Sequence, residues 1–384
     1  MLEPQRHLFD IPRDVAYFNA AAWGPIPVAV AKVGEEGARR KMHPWNLTGE
    51  YMEMQFERAR KAAASIIGAD VDDVALTPSV AYGFSTAAKV LKVPKGSRVL
   101  VMADDHTSPV LEWLGRAEEG GFTVETIKRP ADNDWTQATL EAIERPGAAP
   151  LAVVSMSNVH WSDGGNIDMD RVAPAARKQG AALLIDATHS AGVQDLDVKR
   201  IDPDFMIFPT YKWLLGPYGR AFLYVAKRHQ DGVPLEQTSY GRRAVKADQD
   251  VYLLDTRYVP NARRYDMAER DHIISLEMAA LCIETVEGFG QPKVEARLKV
   301  LTDEIAEGLA PLGNKVILPD PKVRTPHILC VGFKGGMPSD LVAKLEAQKV
   351  YAAPRIGRLR ISPHVYNDSE DVARLVQALG KALA

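Results

Sequence analysis

In the stretch FPTYKWLLGPYG, Phe208 to Gly219, one lysine follows an apolar run and precedes two glycines. An ammonium among Phe208, Trp213, Leu214 and Leu215 is partly desolvated, which lowers its pKa towards the range where the neutral amine is a nucleophile. A salt-bridged lysine, or one whose stem snorkels along apolar surface, also fits this stretch. The residue that gives Lys212 a chemical partner is Asp186, which closes the apolar run AALLID. Alone, Asp186 could be the N-cap of the segment that follows it. An acid closing one strand and a lysine closing the next strand-like run together suit a pyridine cofactor. The carboxylate keeps the ring nitrogen protonated, and the amine makes a Schiff base with an aldehyde.

Strands must position such groups. RVLVM, FTVETI, PLAVVSMS, AALLID, DFMIF and RAFLYV are short apolar runs, and between them EYMEMQFERARKAAASIIG, AYGFSTAAKVL, SPVLEWLGRAEEG and MDRVAPAARKQG carry helical periodicity. This alternation predicts an α/β fold, with a mostly parallel sheet covered by helices on both faces. After about residue 290 the pattern restarts as a compact α+β unit, with NKVILP, HILCVGF, VYAA and RLRIS as strands. In open α/β sheets, ligands lie at the carboxyl ends of the strands. That rule gathers Asp104, Asp105 and His106 after RVLVM, Ser157 and Asn158 at the end of SMSN, Asp186, and then Thr210, Tyr211 and Lys212. Asn158 could equally close an Asx turn, and His189 could be a satisfied core histidine.

The run LLIDATHSAGVQDLDVKRIDPDFMIFPTYKWLLGPYG resembles the cofactor core of the class V aminotransferase and cysteine desulfurase family, which are fold type I pyridoxal-phosphate enzymes. The resemblance spans nearly the whole chain and implies a mostly parallel, seven-stranded sheet sandwiched by helices, with a smaller C-terminal α+β domain. It implies an N-terminal segment at 1–25, packing on the small or the cofactor domain, a cofactor-binding major domain at 26–290 and a small domain at 291–384. The cofactor implied is pyridoxal 5'-phosphate. Lys212 then matches the lysine that carries it, Asp186 the ring-nitrogen partner, and His189 a neighbour of the ring substituents or phosphate. His106 matches the histidine that stacks on the ring, with Trp113 at a spacing that supports the alignment. Asn158 matches the asparagine near the phenolic oxygen.

Around the phosphate, the segment LTPSVAYGFSTAAKVL opens a helix whose N-terminal amides can hold an anion. The family's paired hydroxyls are replaced here by Val80 and Ala81, so backbone N–H groups and Ser79 would carry the contact, with Thr210 and Tyr211 nearby. Registering Tyr366 and Asn367 with the family's Tyr-Asn places Arg360 where a substrate carboxylate is held; Arg355 and Arg358 have weaker claims. The expected substrate is an amino acid. No metal site is expected.

The reaction is left open among transamination, epimerisation and carbon–sulfur or kynureninase-type cleavage. Aminotransferase-like chemistry has the broadest claim. A persulfide-forming desulfurase needs a mobile cysteine just before the carboxylate-binding strand, and KVYAAPRIGRLRIS has none. The two cysteines, Cys282 and Cys330, lie in apolar stretches without metal-ligand spacing and are expected as reduced core residues. A different class, a cofactor-free binding protein, would leave the gathered groups without a purpose. A net charge of −3 over 384 residues gives no pull on nucleic acid or anionic membrane. The N-terminus lacks an apolar signal core and no run of about 18 apolar residues occurs, so a cytoplasmic protein is expected. The resemblance implies a homodimer, and residues 241 to 270, rich in Tyr and Arg, suit a site shared across it.

Overall fold

The computed structural model describes residues 2–384. Its centre is a seven-stranded sheet. In spatial order the strands are Val74–Thr77, Ala221–Val225, Phe205–Pro209, Ala182–Asp186, Leu151–Ser157, Arg98–Met102 and Thr123–Ile127. Arg98–Met102, Phe205–Pro209 and Ala221–Val225 are buried along their whole length, as unbroken apolar runs require when both faces are covered. The polar run TVETI lies at an edge, with its first threonine and its second exposed. Alternate residues serve opposite faces: Leu183, Ile185, Met206 and Phe208 enter one core, Leu184 and Ile207 the other.

All neighbours are parallel except Ala221–Val225, which is antiparallel to both of its own. Two features of this topology create the site. The chain runs from Arg98–Met102 out to the Thr123–Ile127 edge and returns on the other side as Leu151–Ser157, which opens a crevice at the carboxyl ends of the two inner strands. Phe205–Pro209 then turns back directly into Ala221–Val225, so Lys212 sits in a hairpin connection rather than in a crossover.

The C-terminal part is an antiparallel sheet, ordered Val316–Ile317, Leu329–Phe333, Arg358–Ile361 and Ala353–Arg355. Helices Gln291–Leu309 and Ser369–Ala382 pack together beside it. The run VYAA, expected as one strand, divides. Val350–Tyr351 pairs in parallel with Ala16–Tyr17 near the N-terminus, while Ala353–Arg355 joins the antiparallel sheet. Residues 241 to 270, the segment rich in Tyr and Arg, contain a hairpin of Arg242–Val245 and Leu253–Tyr258 with an irregular register. Among the described residues, no helix is long and apolar enough to cross a membrane.

Candidate functional site

The connection that holds Lys212 is tightly folded. Thr210 N–H donates to the Arg220 carbonyl at 3.1 Å, and Gly216 N–H closes back on the Thr210 carbonyl at 2.8 Å. A Cβ at Gly216 would meet Cys282 Sγ and Thr210 Cβ, so glycine is required by close approach. Leu215, at φ +58°, adopts a left-handed conformation that costs a side-chain-bearing residue about 1–2 kcal/mol, and its N–H bonds the Lys212 carbonyl at 3.2 Å. From the N-terminal segment, Gly24 N–H donates to the Tyr211 carbonyl, and a Cβ at Gly24 would collide with the Lys212 carbonyl oxygen. The lysine backbone is therefore clamped from two sides.

Lys212 is 7% exposed. Burial, reinforced by the charges of Arg360 and Arg355 and opposed by Asp186, lowers its pKa to about 7. Its Nζ lies 3.2 Å from His189 Nε2. Trp213 Nε1–H donates to His189 Nδ1 at 3.4 Å, which makes Nδ1 the acceptor and leaves the ring proton on Nε2, facing the amine. Burial and the Lys212 charge hold the imidazole well below its ordinary pKa, so it is neutral. Behind it, His327 Nε2–H donates to the His189 carbonyl at 2.6 Å.

Asp186 ends its strand opposite Ser157 and is 2% exposed. Its Oδ1 accepts the Thr188 N–H at 2.9 Å, the local turn that its sequence position allowed, yet it forms no ion pair among the described residues. Asn158 lies beside it, but its side chain is engaged: Oδ1 accepts the Ser190 hydroxyl at 2.6 Å and Nδ2 donates to Gln194 Oε1 at 3.1 Å. Across the crevice, Asp105 accepts from the Ser157 N–H and hydroxyl, at 3.0 and 2.7 Å, and from the His106 N–H. His106 follows as the exposed N-cap of helix Thr107–Gly120, edge-on to Trp161. Trp113 is buried in the opposite core beside Phe122, away from these groups.

Arg360 is 1% exposed. Among the described residues, its only side-chain hydrogen bond is from Nη1 to the Trp161 carbonyl, at 2.9 Å, and its Nε has no partner. Burial, then the charge of Arg355, lowers its pKa to about 9, so it remains a cation at neutral pH. Arg355 lies 5.9 Å from the Trp161 ring centre. Lys212, His106, Tyr211, Arg355 and Arg360 line a common cavity of ≈ 620 Å³. Three residues that sequence reasoning missed complete its walls: Trp161, Trp23 and Tyr218. Tyr218 stacks on Tyr211, with ring centres 3.8 Å apart, and Trp23, 59% exposed, leans on Tyr218 at 4.4 Å. Trp161 and Tyr218 stand inside the SMSNVHWSDGG and FPTYKWLLGPYG motifs and were within reach of a sequence reading. No local signal marks Trp23.

The phosphate-binding expectation falls on helix Val80–Val90, packed on the Phe205–Pro209 strand. Ser79 is its N-cap, and its hydroxyl accepts the Tyr82 N–H at 3.1 Å. That leaves the Val80 and Ala81 N–H groups at the helix mouth, where the peptide dipoles favour an anion. Thr77 Oγ1, just before the cap, is buried without a partner among the described residues. Thr210 differs from expectation: its hydroxyl donates to the Pro217 carbonyl at 2.6 Å and serves the hairpin connection. Cys330 is a free, buried strand residue, as expected. Remote from Arg360 in sequence, it is its cross-strand partner, yet burial raises its thiol to about 12 and it lines a separate cleft.

Lys212, Asp186 and Arg360 are thus three buried charges, none with an opposite charge within ion-pair distance among the described residues. Buried charges are ordinarily paired. A ligand with an electrophilic carbon, a ring N–H and a carboxylate would satisfy all three.

The sequence matches the family model described as aminotransferase class-V over residues 36–375. An uncharacterized aminotransferase of Bacillus subtilis is 26% identical over 324 residues, covering 84% of this chain and 82% of its own. A probable cysteine desulfurase of Pyrococcus abyssi is 26% identical over 396 residues, covering 96% and 95%. Among solved structures, the apo structure of a cysteine desulfurase from Thermococcus onnurineus superposes with a TM-score of 0.83 at 21% identity, covering 99% of this chain and 98% of that one, which shows the shared fold.

Proposed function

From the premise that the chain belongs to the class V aminotransferase family, whose cofactor is pyridoxal 5'-phosphate, we propose that it transforms an α-amino acid held by Arg360, with aminotransferase-like chemistry. Bound to the protein, the cofactor supplies an electron sink for the pair left when a bond at the substrate's α-carbon breaks. Lys212 would hold its aldehyde carbon, Asp186 its ring nitrogen, and His106 its face. His189 and Asn158 would stand by the ring substituents. Ser79, the Val80 and Ala81 N–H groups and Tyr211 would serve the phosphate. The observation that carries this reading is the set of three unpaired buried charges, since each has a natural complement in the cofactor or its substrate.

Lys212 is the group to move a proton at the α-carbon. An amine with a pKa of about 7 is available in both protonation states at neutral pH, which is what a general base and acid needs. When the amine is neutral, the His189 Nε2–H donates to its nitrogen and fixes its direction. Both cysteines are buried and their thiols are raised by that burial, which supports transfer at carbon and nitrogen over persulfide formation. Exposed Val251, Tyr252, Leu253 and Leu254 on the Arg242–Tyr258 hairpin form an apolar tip that supports a homodimer.

The test is spectral. Protein loaded with pyridoxal 5'-phosphate should be yellow, and amino acids should be screened for a shift of its band, followed by product analysis. A keto acid formed only with an amino acceptor identifies an aminotransferase. Cleavage without an acceptor identifies a lyase, and inversion at the α-carbon with no other change an epimerase. Protein that stays colourless with the added cofactor sinks the enzyme reading.

A further inference from the structure

Arg360 has a role in the reading above, but Arg355 does not. In the C-terminal hairpin, Arg360 stands opposite Ala353, and Arg355 follows Ala353 by two residues. Alternation along a strand therefore sends the Arg355 and Arg360 side chains from the same face, as diagonal neighbours about 7–8 Å apart at the backbone. Both line the cavity that contains Lys212. Arg358 shares the face by register but lines a different cleft, with Asp132 and Asp320.

Neither cavity arginine has a carboxylate partner among the described residues. Arg355 donates from Nη1 to the carbonyl of its own neighbour Pro354, at 2.7 Å, and Arg360 bonds only the Trp161 carbonyl. Trp161 serves both: its carbonyl anchors the Arg360 fork and its indole lies beside the Arg355 guanidinium. The indole is itself fixed, since its Nε1–H donates to the Asp104 carbonyl at 2.6 Å. The carboxylate on the cavity wall, Asp105, is already engaged by Ser157 and the His106 N–H. The cavity thus presents two oriented guanidinium groups, with one α-carboxylate to share between them.

We propose that the substrate is an amino acid whose side chain carries a second carboxylate, held by Arg355 while Arg360 holds the α-carboxylate. The proposal rests on the amino-acid reading given above. A planar fork beside an aromatic face suits a carboxylate taken bidentately, and the spacing of the two arginines suits a dicarboxylate of a few carbons. The competing occupant is an aromatic side chain lying on the Trp23 and Tyr218 rings.

Calorimetric titration of the cofactor-loaded protein with glutarate, butyrate and 3-phenylpropionate separates these cases. None has an amine, so each reports on the guanidinium groups without reacting. Glutarate should bind about tenfold or more tighter than butyrate. Arg355→Gln should remove most of that difference, and Arg355→Lys should restore part of it, with unchanged thermal melts as the control for folding. Equal binding of glutarate and butyrate, no measurable binding of either, a preference that survives Arg355→Gln, or 3-phenylpropionate binding tighter than glutarate would each overturn the proposal. Failure of the broader reading is seen separately, as the absence of a pyridoxyl label on Lys212 after borohydride reduction.

Discussion

Lys212 is a lysine kept near neutrality by its surroundings, and this makes its titration measurable. In the cofactor-free chain the attacking species is the neutral amine, so the rate at which added pyridoxal 5'-phosphate is captured should climb with pH through about 7 and then level. A lysine in water would still be climbing towards about 10.4. Borohydride should then fix a pyridoxyl group on the peptide containing Tyr211, Lys212 and Trp213, and Lys212→Ala should abolish the label; label on Lys89 or Lys227 would refute the assignment. Arg360 predicts a different pattern. On the proposal that Arg360 holds the substrate carboxylate, Arg360→Ala should leave the absorption of the bound cofactor intact while lowering kcat/KM by roughly thirtyfold to several thousandfold, the equivalent of about 2–5 kcal/mol. Arg360→Lys should recover only part of this, since a point charge cannot reproduce the fork. Bleaching of the cofactor by Arg360→Ala would move Arg360 out of the substrate site. The burial of Lys212, Asp186 and Arg360 was legible in sequence because each closes or belongs to an apolar run. The direction of the Thr210 hydroxyl was not, because it is set by the turn it closes.

The elements that carry the site are fastened by a few buried contacts. Arg60, fully buried in helix Gly49–Ser65, donates to Asp266 at 3.0 and 2.7 Å and to the Val74 carbonyl, and Asp266 also accepts the Leu76 N–H at 2.9 Å. This ties down the strand that leads to Ser79 and the helix mouth. Asp266→Asn should destabilise the protein by about 3–5 kcal/mol, read as a lowered Tm, because it removes the buried carboxylate that faces Arg60 and leaves that cation only the partly exposed Glu57, 3.5 Å away. Burial would raise the Asp266 carboxyl, but the charges of Arg60 and Arg270, with the hydrogen bonds from Arg60 and the Leu76 N–H, together outweigh it and hold the pKa below the ordinary value. The stabilisation from this carboxylate is therefore present above the unfolded pKa of about 3.9 and lost as pH falls through the folded value, and Asp266→Asn should flatten the acid limb of a stability profile. Gly24 makes a second test. Gly24→Ala should cost about 1–3 kcal/mol by forcing the N-terminal segment off the Lys212 carbonyl. Gly115→Ala, in an exposed helix turn with nothing near the added methyl, should gain about 0.5–1 kcal/mol. Equal effects of the two would remove the close-approach argument.

At the scale of the whole molecule, the proposed dimer is the claim most open to test. Sedimentation equilibrium should give twice the 42.2 kDa chain mass, and replacing Tyr252 and Leu254 by serine should shift the equilibrium towards single chains. A single-chain mass at every concentration would refute the dimer. A dimer unaffected by the replacements would place the contact elsewhere. The hairpin that bears these residues was not foreseen, because its register is broken and its strands pair only with each other. Without a covered face, its sequence lacks the alternation that marks a strand.

The sequence by itself determined the α/β class, the central strands and the groups at their carboxyl ends. These follow from local periodicity and from the fact that a parallel sheet delivers every strand end to one edge. It also determined that an acid and a lysine would come to the same edge, since Asp186 ends one strand and Lys212 follows the end of the adjacent one. Only the tertiary structure decided what surrounds them. The Trp161 carbonyl reaches Arg360 from 199 positions away, Gly24 presses on the Lys212 connection, and Cys330 becomes the neighbour of Arg360. Such contacts join segments that carry no matching local pattern. They are fixed by how the sheets and the N-terminal segment pack, and that packing is the sum of many contacts distributed along the chain.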